Sequence, residues 1–316
     1  LIRNPLFTSY GLNTSALFGF INQLLKIKKD ENPEYFACAF DSKGKTFRHE
    51  MYKEYKANRP PMPDELQQQL PHLWEILDAM NVPVLNKDGV EADDIIGTLA
   101  VRAQNEGLDT YIVSGDKDFM QLINENIFLY APGTKKSPNP IIYDSKKVEE
   151  KWGVPPEKIV DLLGLMGDSS DNVPGVSGVG EKTAVKLIKK YGSLVGALEN
   201  ADQVSNKRAR TGLQEGAKNA RLSQDLVTIM LDVAIDSSLD DFISAKMNNS
   251  LCIEKFHELE FQGFVKQFHE ENSNPKEVTK DQKKDYYTVL NLDQLDDLIV
   301  NLKSSNLFSL NLETTS

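Results

Sequence analysis

Short apolar runs alternate with amphipathic stretches through the first 130 residues, and that alternation leaves few folds open. YFACAF (35–40), VPVL (82–85), TYIV (110–113) and NIFLY (126–130) are strand-like. Residues 65–80 carry Leu66, Leu70, Leu73, Ile76, Leu77 and Met80 on one helical stripe, 92–105 read as another helix, and a short helix follows 113. The rhythm predicts an α/β fold, a mostly parallel central sheet flanked by helices. From about 146 to 270 the pattern is helical, with Gly-rich breaks at 174–180 and 212–216.

The expected organisation is an α/β core over 1–165, with a basic segment at about 41–62, and a helical subdomain over 166–270. Charged residues 271–285 have the composition of a linker. Residues 286–316 read strand, helix, strand, the truncated start of another α/β domain. The chain opens without Met and stops in mid-pattern, as a fragment of something longer would.

Acidic residues recur where these strands end or helices begin. Asp41 follows YFACAF; Glu91, Asp93 and Asp94 open the helix after VPVL; Asp116 and Asp118 follow TYIV; Asp168 and Asp171 lie in GLMGDSSDNVPG. In an open parallel sheet the carboxyl ends of the strands share one edge, so eight carboxylates from four segments can converge. Singly, each motif is an ordinary helix start favoured by the dipole. Together they repel unless cations neutralise them. An oxygen-only set without His or Cys suits Mg²⁺ or Mn²⁺, and two such ions about 3.5–4 Å apart can activate a water for in-line phosphodiester displacement.

Two basic stretches sit inside a chain of net charge −11. That charge argues against a general nucleic-acid coat protein. Residues 41–60 hold six Lys/Arg against three acids, with Phe47, Tyr52 and Tyr55 interleaved. Phosphates attract such cations, and unpaired bases stack on such rings. Residues 177–221 hold nine Lys/Arg against four acids. Within them, GVGEK is a tight turn opening a helix that carries Lys182, Lys186, Lys189 and Lys190. Glu181 between Gly180 and Lys182 breaks the Walker pattern, and a helix-hairpin-helix that grips DNA backbone fits better. The run 16–25 is an amphipathic helix broken by Asn22 and Gln23, neither a signal peptide nor a membrane span. Two distant cysteines, Cys38 and Cys252, make a disulfide framework improbable and suit a reducing, cytoplasmic setting.

FDSKGKTFRHEMYKEYKANR, GVEADDIIGTLA, VSGDKDFMQLI and GLMGDSSDNVPGVSGVGEKTA, in this order and spacing, resemble the 5′-nuclease domain of bacterial DNA polymerase I, within the flap-endonuclease superfamily. The resemblance runs from about 1 to 270, and the C-terminal piece resembles the start of a 3′–5′ exonuclease-like domain. It implies a fold of the PIN/5′-nuclease kind and assigns Asp41, Glu91, Asp93, Asp94, Asp116, Asp118, Asp168 and Asp171 to two or more Mg²⁺ or Mn²⁺ ions. Arg48 and Lys56 become cations at the scissile phosphate, and Tyr55, Lys53 and Arg59 substrate contacts on a helical arch. Gly178, Gly180 and Lys182 become a duplex-backbone clamp with a K⁺ ion.

The implied activity is 5′→3′ exonuclease and flap endonuclease on DNA with 5′ flaps, nicks or RNA primers, by a monomer continuous with a polymerase. The family's first strand and its Asp ligand would precede Leu1, which motivates an alternative, a DNA-binding fragment with impaired catalysis. A small-molecule Mg²⁺ phosphatase leaves both basic stretches without a role. Asn311 and Glu313 replace an expected Asp-x-Glu, so proofreading in the intact protein is not expected.

Overall fold

Helix α1 (Ser15–Glu31) buries Leu17, Ile21, Leu24, Leu25 and Ile27 and stops at Asn32, whose φ of 43° is a left-handed cap. The computed structural model describes residues 5–133, 137, 139–272 and 289–304. It divides into two compact units, Leu1–His269 and Glu270–Ser316. After α1 come β1 (Cys38–Ala39), α2 (Phe47–Met51), α3 (Asp64–Gln67), α4 (Leu70–Ala79), β2 (Val84–Leu85), α5 (Ala92–Asn105) and β3 (Thr110–Val113). Next are a 3₁₀ turn (Lys117–Leu122), β4 (Ile127–Ala131) and β5 (Ile141–Tyr143).

The fold is α/β as expected, but the strands are shared between two sheets. β1 pairs in parallel with β2; β3 pairs in parallel with β4, and β5 closes antiparallel on β4. The run 35–40 divides its bonds: Phe36 N donates to Phe242 O, while Cys38 N and Phe40 N donate to Pro83 O and Leu85 O at β2. Both cysteines are free, Cys38 half-buried and Cys252 buried. The single helix expected over 65–80 is two. Pro71 has no N–H to continue α3, and Gln69, 4% exposed, turns inward to accept from Leu17 N (3.0 Å) and donate to Glu65 O (2.8 Å).

Helices α6 (Ser145–Trp152), α7 (Ile159–Met166), α8 (Glu181–Tyr191), α9 (Leu194–Glu199), α10 (Lys207–Glu215) and α11 (Ala217–Val227) build the helical part. The break expected at 212–216 narrows to Gly216. Gly212 lies inside α10, where an added Cβ would come within 1.9 Å of Ser177 O. Between α7 and α8 the chain folds back tightly, with Asp168 and Val173 exchanging backbone bonds (3.0 and 2.7 Å). At Gly175, φ is +62° and an added Cβ would meet Gly167 N at 2.5 Å. Gly175→Ala is therefore expected to cost about 2–4 kcal/mol, read as a lower urea-unfolding midpoint.

Beyond α11 an irregular strap lies against α5, where Arg102 donates to Val233, Ile235 and Ser237 carbonyls. Helices α12 (Asn249–Glu258) and α13 (Gln262–Asn272) then return to the beginning of the chain. Phe256, Phe264 and Phe268 share a core with Leu17 and Ile21 of α1 and Ile76 and Leu77 of α4, and Phe18 stacks on Phe264 at 4.9 Å. A second core joins Ile112, Ile127 and Leu129 of the sheet to Phe119, Leu162, Leu163 and Leu226. In the other unit, α14 (Leu292–Ser304) is the helix expected there. The strands around it, Asn311 and Glu313, and 273–285 of the linker lie outside the described residues.

Candidate active site

Three turns and one strand end carry the expected acids. Glu91 is the N-cap of α5, closed by a capping box with Asp94, and Asp93 occupies the first turn. Asp41, just beyond β1, accepts from Ala92 N at 2.8 Å. After β3 the chain turns at Gly115, and Asp116 accepts from Asp118 N at 2.9 Å. The α7–α8 turn supplies Asp168 and Asp171.

These acids sense one another. Burial, then Asp116, Glu91 and Asp41, push the Asp93 carboxyl up to about 7, against the opposing pull of Lys56. Burial, then Asp116, with Asp168 and Asp171 adding, pushes Asp118 up to about 7, against Lys117. Groups from all four segments thus act on each other.

The basic segment lies on this cluster. It forms α2 and a series of turns rather than one helical arch. Lys56, at φ +55°, donates its backbone N–H to Asp171 O (2.9 Å). Its Nζ lies 2.7 Å from Glu91 Oε1 and 3.7 Å from Asp171 Oδ2. Arg59 pairs with Asp171, and Lys117 with Asp168. That pairing holds the Asp168 carboxyl below its usual range despite burial. Tyr55 departs from the expected stacking role: it is 4% exposed and donates its hydroxyl to Glu91 (3.1 Å) and Asp171 (3.3 Å). Lys53 is exposed.

Arg48 and Asp94 depart from expectation more sharply. Both are buried and locked in a bidentate pair, Nη1–Oδ2 2.7 Å and Nη2–Oδ1 2.8 Å. Burial opposes both charges, but the pairing prevails, raising the Arg48 pKa and lowering that of Asp94.

Among the described residues, no three His, Cys, Asp or Glu side chains are already set as ligands around one point. The chemistry nevertheless fits a hard divalent cation. The donors are carboxylate oxygens, and Asp118 Oδ1 is buried without a hydrogen-bond partner. Asp41, Asp93, Asp116 and Asp118 have no ion pair among the described residues, whereas Glu91, Asp168 and Asp171 are shared with lysine or arginine.

At the helical end, Gly180 caps α8 and Lys182 is exposed in its first turn. Gly178 packs beneath Arg208 of α10. Ser177, Lys207, Arg208, Thr211, Gly212 and Glu215 line a groove of about 410 Å³. Lys207 and Arg208, exposed and unpaired among the described residues, lie beside Gly178 in this groove. Their only sequence signal was the Lys/Arg excess over 177–221.

Residues 1–153 match the N-terminal resolvase-like domain of the 5′-3′ exonucleases, and 154–250 their C-terminal SAM fold. A 5′-3′ exonuclease of Aquifex aeolicus is 37% identical over 263 residues, covering 83% of this chain and 88% of that protein. The chain belongs to the 5′-3′ exonuclease family. DNA polymerase I of Caldicellulosiruptor bescii is 41% identical over 82% of this chain, which spans only 30% of that relative's length. The fold is shared with T5 5′-exonuclease, solved with zinc bound, at a TM-score of 0.57 and 19% identity over 80% of this chain and 90% of that one. No helix among the described residues is long and apolar enough to cross a membrane.

Proposed function

We propose that the chain is the 5′-nuclease region of a DNA polymerase I, a divalent-metal-dependent 5′→3′ exonuclease and flap endonuclease. Its substrates are DNA with 5′ flaps, nicks or RNA primers, and it works as a monomer in the cytoplasm. One observation carries this reading: Lys56 and Arg59 of the basic segment meet Glu91 and Asp171 beside Asp93, Asp116 and Asp118. Asp41, Asp93, Asp116 and Asp118, with Glu91, Asp168 and Asp171 on the adjoining side, would hold Mg²⁺ or Mn²⁺, which would supply water activation and charge stabilisation at the leaving oxygen.

The protein's own part is to bring phosphate and charge together. Lys56, already aimed at the acids, neutralises charge developing on the scissile phosphate. Arg59 and Lys53 hold the neighbouring phosphates, and Tyr55, hydrogen-bonded to Glu91 and Asp171, fixes the floor of the site. Gly178, Gly180 and Lys182 hold the duplex backbone, where a bound K⁺ would add positive charge, and Lys207 and Arg208 lengthen that contact.

A 5′-flap duplex incubated with the chain and Mg²⁺ should be cut near the junction. No cleavage, or cleavage insensitive to loss of Asp116, would sink the reading. The double variant K207E/R208E should weaken duplex binding at least about 10-fold and flatten the slope of log affinity against log salt by about 2, with kcat retained at saturating DNA. Anisotropy titrations across salt concentrations check this.

A second reading, a DNA-binding chain with impaired catalysis, is favoured by the cations already paired with Glu91, Asp168 and Asp171. Flap binding in Ca²⁺ without turnover in Mg²⁺ or Mn²⁺ would select it.

A further inference from the structure

Asp94 accepts four N–H bonds, from Arg48 Nη1 and Nη2 and from the backbones of Met230 (2.9 Å) and Glu91 (3.0 Å). An ionised carboxylate offers about four such sites, so none remains for a cation. Arg48 donates further to Leu226 O and Thr228 O, both at 2.8 Å, and its Nη1 lies 3.5 Å from Glu91 Oε2. The pair therefore joins three things: the cap of α5 that carries Glu91 and Asp93, the root of the basic segment in α2, and the chain leaving α11. Helix α11 also holds the other acidic turn, because buried Ser223 accepts from Gly175 N at 2.8 Å.

We propose that Arg48 and Asp94 are a positioning pair. Through α11 they set Glu91 and Asp93 against Asp168 and Asp171, and neither touches an ion or DNA. The inference rests on the nuclease reading above. Groups that orient a ligand typically govern affinity or activity 10–100-fold when lost.

Removing one partner strands a buried charge, whereas apolar replacement of both is often tolerated. The test therefore uses R48M/D94L, with R48K as a milder variant that keeps the charge but loses the fork. Thermal melts score folding, calorimetric titration without DNA gives Mn²⁺ affinity and stoichiometry, and flap cleavage gives kcat and KM.

The expected result is a folded protein that binds as many Mn²⁺ ions as the parent, about 10-fold more weakly, with kcat down about 10–100-fold and KM little changed. R48K should move the same way by less. If R48M/D94L does not fold, R48K decides. One ion fewer per chain would make Asp94 a ligand, a loss confined to KM would make Arg48 a DNA contact, and unchanged affinity and kcat would leave only packing. Each outcome overturns the proposal, as does absence of Mn²⁺ binding by the parent. A parent that binds Mn²⁺ but cuts no flap would fail the nuclease reading alone, and the affinity comparison would still decide the pair.

Discussion

Asp116→Asn is expected to lower single-turnover flap cleavage about 1,000-fold in Mg²⁺ while raising the melting temperature of the metal-free chain at pH 7.5. The first effect comes from losing a charged oxygen donor where the reacting phosphate must be neutralised. The second comes from repulsion. After burial, Asp116 is the strongest influence raising the pKa of both Asp93 and Asp118. Asn keeps the oxygen that accepts from Asp118 N and removes only the charge.

The sign of the pH dependence is fixed by the direction of these shifts. Asp93 and Asp118 titrate near 7 in the fold and near 3.9 when unfolded. Their protonation stabilises the metal-free fold fully below about 4, and that stability is lost as pH rises through 7. In chelator, the parent's melting temperature should therefore fall between pH 5 and 8, and in Asp116→Asn the fall should be shallower. A variant that melts lower than the parent at pH 7.5 would show that Asp116 supports the fold rather than straining it.

Lys56→Ala should move two measurements in opposite directions. Flap cleavage is expected to lose about 100-fold in kcat, because the cation facing the phosphate is gone. Mn²⁺ affinity without DNA is expected to rise, because Glu91 and Asp171 lose the ammonium 2.7 and 3.7 Å away. A merely structural lysine would not separate these readouts, and weakened Mn²⁺ binding would refute the role.

Much of the scaffold was readable because periodicity and capping agree along it. The helix expected over 92–105 is α5, and TYIV is β3, since each segment's local preference matches what packing requires. The split of 65–80 was also written in the chain, in Pro71, but the apolar stripe runs through the break and hides it. Residue type and spacing put the acids at a strand end, a helix start and two turns, which is where the structure has them. They could not separate Asp93, which faces its fellow acids, from adjacent Asp94, which faces Arg48. That difference comes from carbonyls of Leu226 and Thr228, more than 130 residues later, which complete the arginine's partners. Lys207 and Arg208 escaped notice because only the turn at Ser177 gives them a groove.

The return of α12 and α13 onto α1 has a consequence for how the chain is made. Leu17 and Ile21 cannot complete their core until Phe256, Phe264 and Phe268 have left the ribosome. At about 5–20 residues per second, the face of α1 that meets α12 and α13 stays uncovered for roughly ten to fifty seconds. During synthesis, then, α1 is secured only once much of the chain that follows it has been made. Pulse proteolysis of stalled nascent chains should find it cleavable until residues near 269 emerge.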